Sequence, residues 1–183
     1  FFFIFIFPDD NNLNINLGYV NEWKFTKKHN RVKESNPLSN ALVYQNHEII
    51  NMLLSHPNID VNVKNQMYQY RLLDSEKTKY IIFERTVLYD AVEIGDVETV
   101  KQLLLNKKIK VNLNSIDYSN DYEEYTEAAL HLAIRKNKIE IVKLLLSHKK
   151  IDVNKTSKVY LNDDKYKNTP LYLSVQTNNV EMV

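Results

Sequence analysis

The sequence predicts an all-α repeat solenoid of helix pairs joined by extended β-hairpin connectors. Three copies of one block are complete and a fourth begins near the end of the sequence; each block contains two apolar runs separated by a polar break. The apolar residues recur at helical spacing. Between the blocks, β-prone runs flank polar turns, a pattern typical of hairpins. One helix pair cannot bury its apolar faces alone, so the copies are expected to stack.

The block at residues 129–154 shows the repeat most clearly. Its second apolar run contains Leu145-Leu146, and it closes on Val153-Asn154. The earlier blocks align with it without a gap from the first leucine to the closing asparagine. The first helices of the four blocks carry the anchor leucines Leu38, Leu88, Leu130 and Leu171.

These anchors divide the chain into two predicted regions. Residues 36–183 are expected to form the repeat array, with repeats starting near 36, 86, 128 and 169 and the last one truncated. Residues 1–35 are either part of a preceding repeat or a connector. Successive anchors are 50, 42 and 41 residues apart.

The blocks resemble the ankyrin repeat, whose pattern opens T-P-L-H-x-A and ends in D-V-N. The residues that carry this resemblance are Thr169-Pro170-Leu171-Tyr172, Ala129-Leu130-His131-Leu132-Ala133, Gly95, Leu144-Leu145-Leu146 and Asp152-Val153-Asn154. The resemblance implies helix pairs with β-hairpins projecting from one edge, in a protein that holds other proteins. Because a standard repeat has about 33 residues, the longer anchor spacing predicts ordinary helices with enlarged hairpins.

Local signals agree with this assignment. Pro37 and Pro170 directly precede the anchor leucines, at a helical position where a missing N–H costs little. The turn between the two helices of a repeat needs a left-handed residue, a conformation that Gly and Asn tolerate. The residues predicted at this turn are Gln45, Gly95, Asn137 and Asn178.

The connectors hold the first group of candidate binding residues. Eight of the twelve tyrosines lie in the connectors, and tyrosine is enriched in binding surfaces because it offers a large apolar face and a hydroxyl. The alternative is that these rings only pack across neighbouring strands. The tyrosines predicted to contact a partner are Tyr68, Tyr70, Tyr118, Tyr122, Tyr125, Tyr160 and Tyr166.

The resemblance implies a second group of candidates. Ankyrin repeats bind partners with their hairpins and with the exposed face of each first helix. Transferred to this sequence, that concave helix face includes Tyr44, Glu93, Arg135, Lys136 and Gln176.

Composition excludes several kinds of chemistry. Cysteine is absent, so disulfides, cysteine-based zinc sites and cysteine nucleophiles are excluded. Only two glycines are present, which rules out a glycine-rich phosphate loop. The histidines show no known metal-ligand spacing, and the resemblance gives His131 a structural hydrogen-bonding role. We therefore expect no catalytic residues, metal, cofactor or small-molecule substrate.

The first residues, FFFIFIF, allow three interpretations. They belong to the tail of a preceding repeat, because Leu13-Asn14-Ile15-Asn16 imitates Ile59-Asp60-Val61-Asn62. Alternatively, they end a truncated membrane or signal segment, or reflect how the fragment was bounded. Seven apolar residues are too few to span a bilayer, which needs about 20, so no membrane contact is expected within this sequence.

The function expected from these patterns is that of an intracellular, cytoplasmic protein–protein interaction scaffold without catalysis. The alternative is a regulatory or spacer fragment of a larger enzyme or membrane protein. A weaker possibility is nucleic-acid binding through residues 23–33, where lysines are interleaved with Trp23 and Phe25. The formal net charge of +1 gives no general attraction to nucleic acid.

Overall fold

The structure is a computed structural model of the chain. It describes residues 16, 19–26, 29–73, 76–120, 123–161 and 164–182.

In the described residues, seven helices form successive pairs, the last completed by a short 3-10 helix. Within each pair the two helices pack against each other, and first helices stack on first helices and second on second. This arrangement confirms the predicted solenoid of helix pairs. The helices are α1 (Pro37–Val43), α2 (His47–Ser55), α3 (Val87–Ile94), α4 (Val97–Leu105), α5 (Ala129–Arg135), α6 (Ile139–Ser147) and α7 (Pro170–Gln176), followed by the 3-10 helix Val180–Met182.

In three of the helix pairs, the first helix begins with a side-chain cap. The Asn36 side chain accepts a hydrogen bond from the N–H of Ser39, and Thr86 and Thr169 accept equivalent bonds three residues ahead. Such caps satisfy N–H groups that have no partner within the helix. Pro37 occupies the first turn of α1, where its missing N–H is not needed.

The turns inside the helix pairs have the predicted conformation. The backbone φ angles at Gln45, Gly95, Asn137 and Asn178 are 51°, 88°, 55° and 52°. All four lie in the left-handed region that permits a tight reversal after a helix. The second helix of each pair therefore folds back on the first.

The connectors form one antiparallel sheet whose strands follow chain order. The description all-α is therefore too narrow, because each connector hairpin also pairs with its neighbours. Residue pairs such as Phe83 with Asp117 link one hairpin to the next. The strands are β1 (Tyr19–Thr26), β2 (His29–Ser35), β3 (Lys64–Leu73), β4 (Glu76–Thr86), β5 (Asn114–Asn120), β6 (Glu123–Ala128), β7 (Ser157–Leu161) and β8 (Asp164–Asn168).

The N-terminal region contributes the first hairpin. Residues 23–33, considered above for nucleic-acid binding, fall on β1 and β2, except that residues 27–28 lie outside the described part of the chain. Residues 1–15 also lie outside it. Assignment of the first residues to a preceding repeat stays a prediction.

The anchor leucines show how the layers cover one another. Leu38, Leu88 and Leu130 are 1%, 3% and 2% exposed, because the next first helix packs over each of them. Leu171 is 62% exposed, since among the described elements none packs on the far side of α7. Burial of the anchor thus depends on the following layer.

An asparagine ladder, formed by Asn16, Asn62 and Asn112, links the tails of the first three helix pairs to one another and the first of them to Asn16. In each, the side-chain amide donates to a backbone carbonyl of the next repeat, and its oxygen accepts from the N–H two residues further on. The distances are 3.0 and 2.8 Å for Asn16, 3.0 and 2.8 Å for Asn62, and 2.7 and 2.9 Å for Asn112. The closing asparagine therefore sets the position of the next layer.

We expect Leu145→Ala to lower the free energy of unfolding by about 2–5 kcal/mol, since Leu145 is completely buried and its loss leaves a cavity. Lys143→Ala on the same helix should cost about 0–1 kcal/mol, because Lys143 forms an exposed ion pair with Glu181. Urea unfolding of both variants measures the difference. Equal losses would contradict the assigned helix face.

Candidate functional site

The inner face of the sheet, which carries Arg85, Asp117, Tyr125 and Glu127, turns towards α3 and α5. Side chains alternate between faces along a strand, and the cross-strand pairs of Asp117 with Tyr125 and of Ser115 with Glu127 fix which residues share this face. Between this face and the helices lies a cavity of about 420 Å³. The cavity is lined by Met67, Ile82, Phe83, Arg85, Glu93, Asp117, Tyr118, Tyr125, Arg135 and Lys136.

A buried carboxylate supports one wall of the cavity. Glu127 is 1% exposed and accepts hydrogen bonds from the Tyr89 hydroxyl at 2.9 Å and from Nη2 of Arg135 at 2.5 Å. Since Tyr89 is on α3 and Arg135 on α5, Glu127 ties strand β6 to two repeats at once. Charge-assisted bonds of this kind are among the strongest in proteins.

Ionisation in this group follows from burial and from the charge of Glu127. Burial raises the pKa of the Tyr89 phenol far above its ordinary value, and the neighbouring Glu127 carboxylate raises it further. Burial alone would lower the pKa of Arg135, but the hydrogen bond and charge of Glu127 outweigh it and keep that pKa raised. Tyr89 therefore stays neutral and Arg135 stays charged.

The two arginines in the cavity are each held between a carboxylate and an aromatic ring. Arg85 bonds Asp117 at 2.5 Å, and its guanidinium lies 4.8 Å from the centre of the Phe83 ring. The Arg135 guanidinium lies 4.6 Å from the centre of the Tyr125 ring. Such stacking fixes the plane of the guanidinium and hence the direction of its N–H groups.

Both guanidiniums retain unused donors. The Nε atoms of Arg85 and Arg135 are buried and have no hydrogen-bond partner among the described residues. A buried donor without an acceptor is costly.

An ion pair in the lining of the cavity joins two repeats. Lys136, at the end of α5, donates to Glu93 of α3 at 3.1 Å. Their side chains are 42% and 33% exposed. An exposed ion pair of this kind is weak.

The structure gathers part of the predicted site. Tyr125, Glu93, Arg135 and Lys136 line the cavity. Tyr118 also borders it, but it pairs with Glu124 across the strands, which puts its side chain on the outer face of the sheet. Four other candidates lie away from it: Tyr44 and Gln176 are exposed at the ends of α1 and α7, and Tyr160 and Tyr166 are on β7 and β8. Tyr68 and Tyr70 belong to β3, and Tyr122 lies outside the described residues.

Sequence reasoning missed Arg85, Asp117 and Glu127 as members of the site. A signal for two of them exists, because Arg85 and Glu127 each stand three residues before an anchor leucine. That position is at the end of a strand and faces the helices. No comparable signal in the sequence marks Asp117, because its partner, Arg85, is on a different hairpin.

His131 is a structural residue. It is 1% exposed; its Nδ1 accepts from the Ala128 N–H at 3.3 Å, and its Nε2 donates to the Lys155 carbonyl at 2.7 Å. Burial lowers its pKa, so the ring is neutral in the folded protein. Both nitrogens are occupied by backbone groups, which leaves neither for proton transfer to a substrate.

Comparison with known families decides the identity of the repeats. A sequence model of ankyrin repeats (3 copies) matches residues 66–157 and, in an overlapping match, residues 88–183. The chain belongs to the ankyrin-repeat family. The α1–α2 pair precedes the matched residues, and it shares their helix-pair geometry and asparagine ladder. Ankyrin repeats are generally protein–protein interaction modules and are typically non-catalytic.

Three negative findings accompany this membership. No curated protein matches the chain. In the part of the chain that the structure describes, no helix is long and apolar enough to cross a bilayer. Those same described residues contain no group of three or more potential metal ligands.

We expect Arg135→Leu to destabilise the ankyrin array by about 3–5 kcal/mol, because it leaves the buried Glu127 carboxylate without its charged partner. Lys136→Leu should cost about 0–1 kcal/mol, since the Lys136–Glu93 pair is exposed. Urea unfolding measures both losses. Glu127→Gln combined with Arg135→Leu should recover part of the loss, and no recovery would contradict the role assigned to the buried charge.

Stability should also fall as the pH drops below 6.5, the ordinary pKa of histidine. In the unfolded chain His131 binds a proton near that pH, whereas burial keeps it neutral in the fold to a lower pH, so protonation favours unfolding. The stability that the neutral His131 ring contributes is present above pH 6.5, and it is lost as the pH falls towards the pKa of His131 in the folded protein. The free energy of unfolding, measured by chemical denaturation between about pH 7 and pH 5, should depend less on pH in His131→Gln than in the unmodified protein. Identical curves for the two proteins would refute the prediction.

Proposed function

We propose that this ankyrin array is a non-catalytic scaffold that binds a partner protein in the cavity between the inner face of the sheet and helices α3 and α5. The observation that carries the proposal is that two ring-stacked arginines, Arg85 and Arg135, line this cavity. Arginine and tyrosine are the residue types that dominate binding hot spots.

Rigidity supports the proposal. Each arginine is held by a carboxylate and a ring, so little side-chain entropy remains to be lost on binding. The walls combine these donors with the apolar surface of Met67 and Phe83. A cavity with an apolar lining and few fixed polar groups is typical of recognition sites.

The proposed site lies where repeats meet. Arg85 and Glu93 belong to one repeat and its hairpin, while Tyr125, Arg135 and Lys136 belong to the next. Binding would therefore depend on the assembled array and not on one helix pair. An intracellular location, as expected for such scaffolds, is part of this proposal.

The test compares two matched double variants of the full chain. Tyr125→Ala with Lys136→Ala removes a ring and a charge from the cavity. Tyr172→Ala with Lys101→Ala removes an exposed ring and an exposed ion-paired lysine elsewhere; Lys101 and Lys136 are 45% and 42% exposed. Thermal unfolding checks that both variants fold.

Proteins captured by the unmodified chain are identified by quantitative mass spectrometry, purified and titrated against each variant by calorimetry. We expect at least one partner whose Kd rises about tenfold or more with the cavity variant and changes less than about twofold with the control. If no captured protein distinguishes the two variants, the proposed site is wrong and a spacer role is favoured.

A further inference from the structure

The outer face of the sheet, opposite the cavity, carries a cluster of uncompensated lysines on its last hairpin. Because side chains alternate, residues paired across strands share a face. Lys158 pairs with Lys167, and Tyr160 pairs with Lys165. The outer face of β7 and β8 therefore presents three lysines around one tyrosine, and all three lysines are exposed.

Two of these lysines stand directly opposite each other. Like charges at directly opposed positions destabilise an antiparallel pair. Neither Lys158 nor Lys167 has an ion pair with any described residue. The arrangement costs stability and receives no compensation within the described residues.

The neighbouring acids are already engaged. Glu124 shares the outer face, next to Tyr160, but it accepts from the Thr126 hydroxyl at 3.1 Å and from the Tyr118 phenol. Asp164 pairs with Leu161, which puts it on the opposite face. Elsewhere on the outer face, Glu84 bonds Lys64 and Gln66. The described acids therefore leave the lysine charge of the last hairpin facing solvent.

Protection of a sheet edge explains only part of the cluster. Lysines on an edge strand discourage unwanted pairing with other chains. Among the described strands β8 is at the edge, so this accounts for Lys165 and Lys167. It does not account for Lys158, because β7 has β6 on one side and β8 on the other. The opposed pair at Lys158 and Lys167 needs a different reason.

We propose that the outer face of β7 and β8 binds an acidic segment of a protein partner in extended conformation. Side chains of an extended chain repeat on one side every second residue, about 6.6–6.8 Å apart, which matches the step from Lys165 to Lys167 along β8. Carboxylates at alternate positions of such a segment would contact Lys165 and Lys167. The carboxylate at Lys167 would also contact Lys158, which is opposite it. This inference rests on the proposed scaffold function and adds a second contact surface with a defined partner chemistry.

Nucleic acid fits this surface less well. Proteins that bind single strands without sequence preference use open aromatic rings on which bases stack. The ring of Tyr160 is covered by the Lys165 ammonium, which lies 5.3 Å from its centre. Carboxylates need only the ammonium groups, so the geometry favours an acidic peptide.

The experiment measures binding of a fluorescein-labelled peptide of alternating glutamate and threonine to the full chain by fluorescence anisotropy at low salt. We expect Lys158→Gln with Lys167→Gln to weaken binding about tenfold. The matched control is Lys149→Gln with Lys150→Gln, which removes two exposed charges after α6 and should change the affinity less than about twofold. Equal effects of the two variants would overturn the proposal.

Two further measurements test the opposed lysine pair and the chemistry of the ligand. Lys158→Glu should raise the thermal midpoint by replacing the opposed like charges with an ion pair, and should also abolish peptide binding. An unchanged or lower midpoint overturns the account of the lysine pair. A single-stranded oligonucleotide that binds more tightly than the peptide overturns the choice of an acidic protein segment.

The cavity variant Tyr125→Ala with Lys136→Ala should bind the peptide as the unmodified chain does. If the peptide fails to bind while a captured partner still depends on the cavity, this inference fails and the proposed function stands. If the peptide binds but no protein depends on the cavity, the lysine site stands and the proposed cavity site fails.

Discussion

Every part of this molecule depends on the burial of one helix pair by the next. Leu38, Leu88 and Leu130 are almost fully buried because a following first helix covers each of them, and the equivalent Leu171, over which no described element packs, is 62% exposed. Burying a leucine contributes about 1.5–3 kcal/mol, so the stack holds its layers together mainly through these repeated positions. The stack of helix pairs therefore determines the geometry of the sheet and of both proposed surfaces.

The hairpins become a platform because they are attached to the layers as well as to one another. Backbone pairing alone would leave the sheet free to tilt. Glu127, which bonds Tyr89 on α3 and Arg135 on α5, fixes the middle of the sheet against two repeats. Arg85 does the same from β4 by pairing with Asp117 on the neighbouring hairpin and lying 3.9 Å from Asp90 on α3. These contacts attach the sheet to the helices that border the cavity.

Sequence reasoning predicted what is local and repeated. The anchor leucines follow from helical periodicity, and the left-handed turn residues, including Gln45, follow from their place in the block. It could not predict the cavity, because Arg85 meets Asp117 only through the register between two separate hairpins. Tyr44 illustrates the limit: it occupies the same place in its repeat as Lys136, yet the cavity lies between later layers. Repetition identifies equivalent positions but does not reveal which of them face a neighbour suited to binding.

The asparagine ladder has a consequence for how such a chain can change. Each rung joins one asparagine to the tail of the following repeat by side-chain bonds. The residues joined by the amide contacts are 42, 46 and 38 positions apart. The intervening connector therefore differs in length from one rung to the next, while the rung geometry is the same. A hairpin can therefore change in length at its tip without shifting the layers, so the proposed binding surface and the helix stack can vary independently.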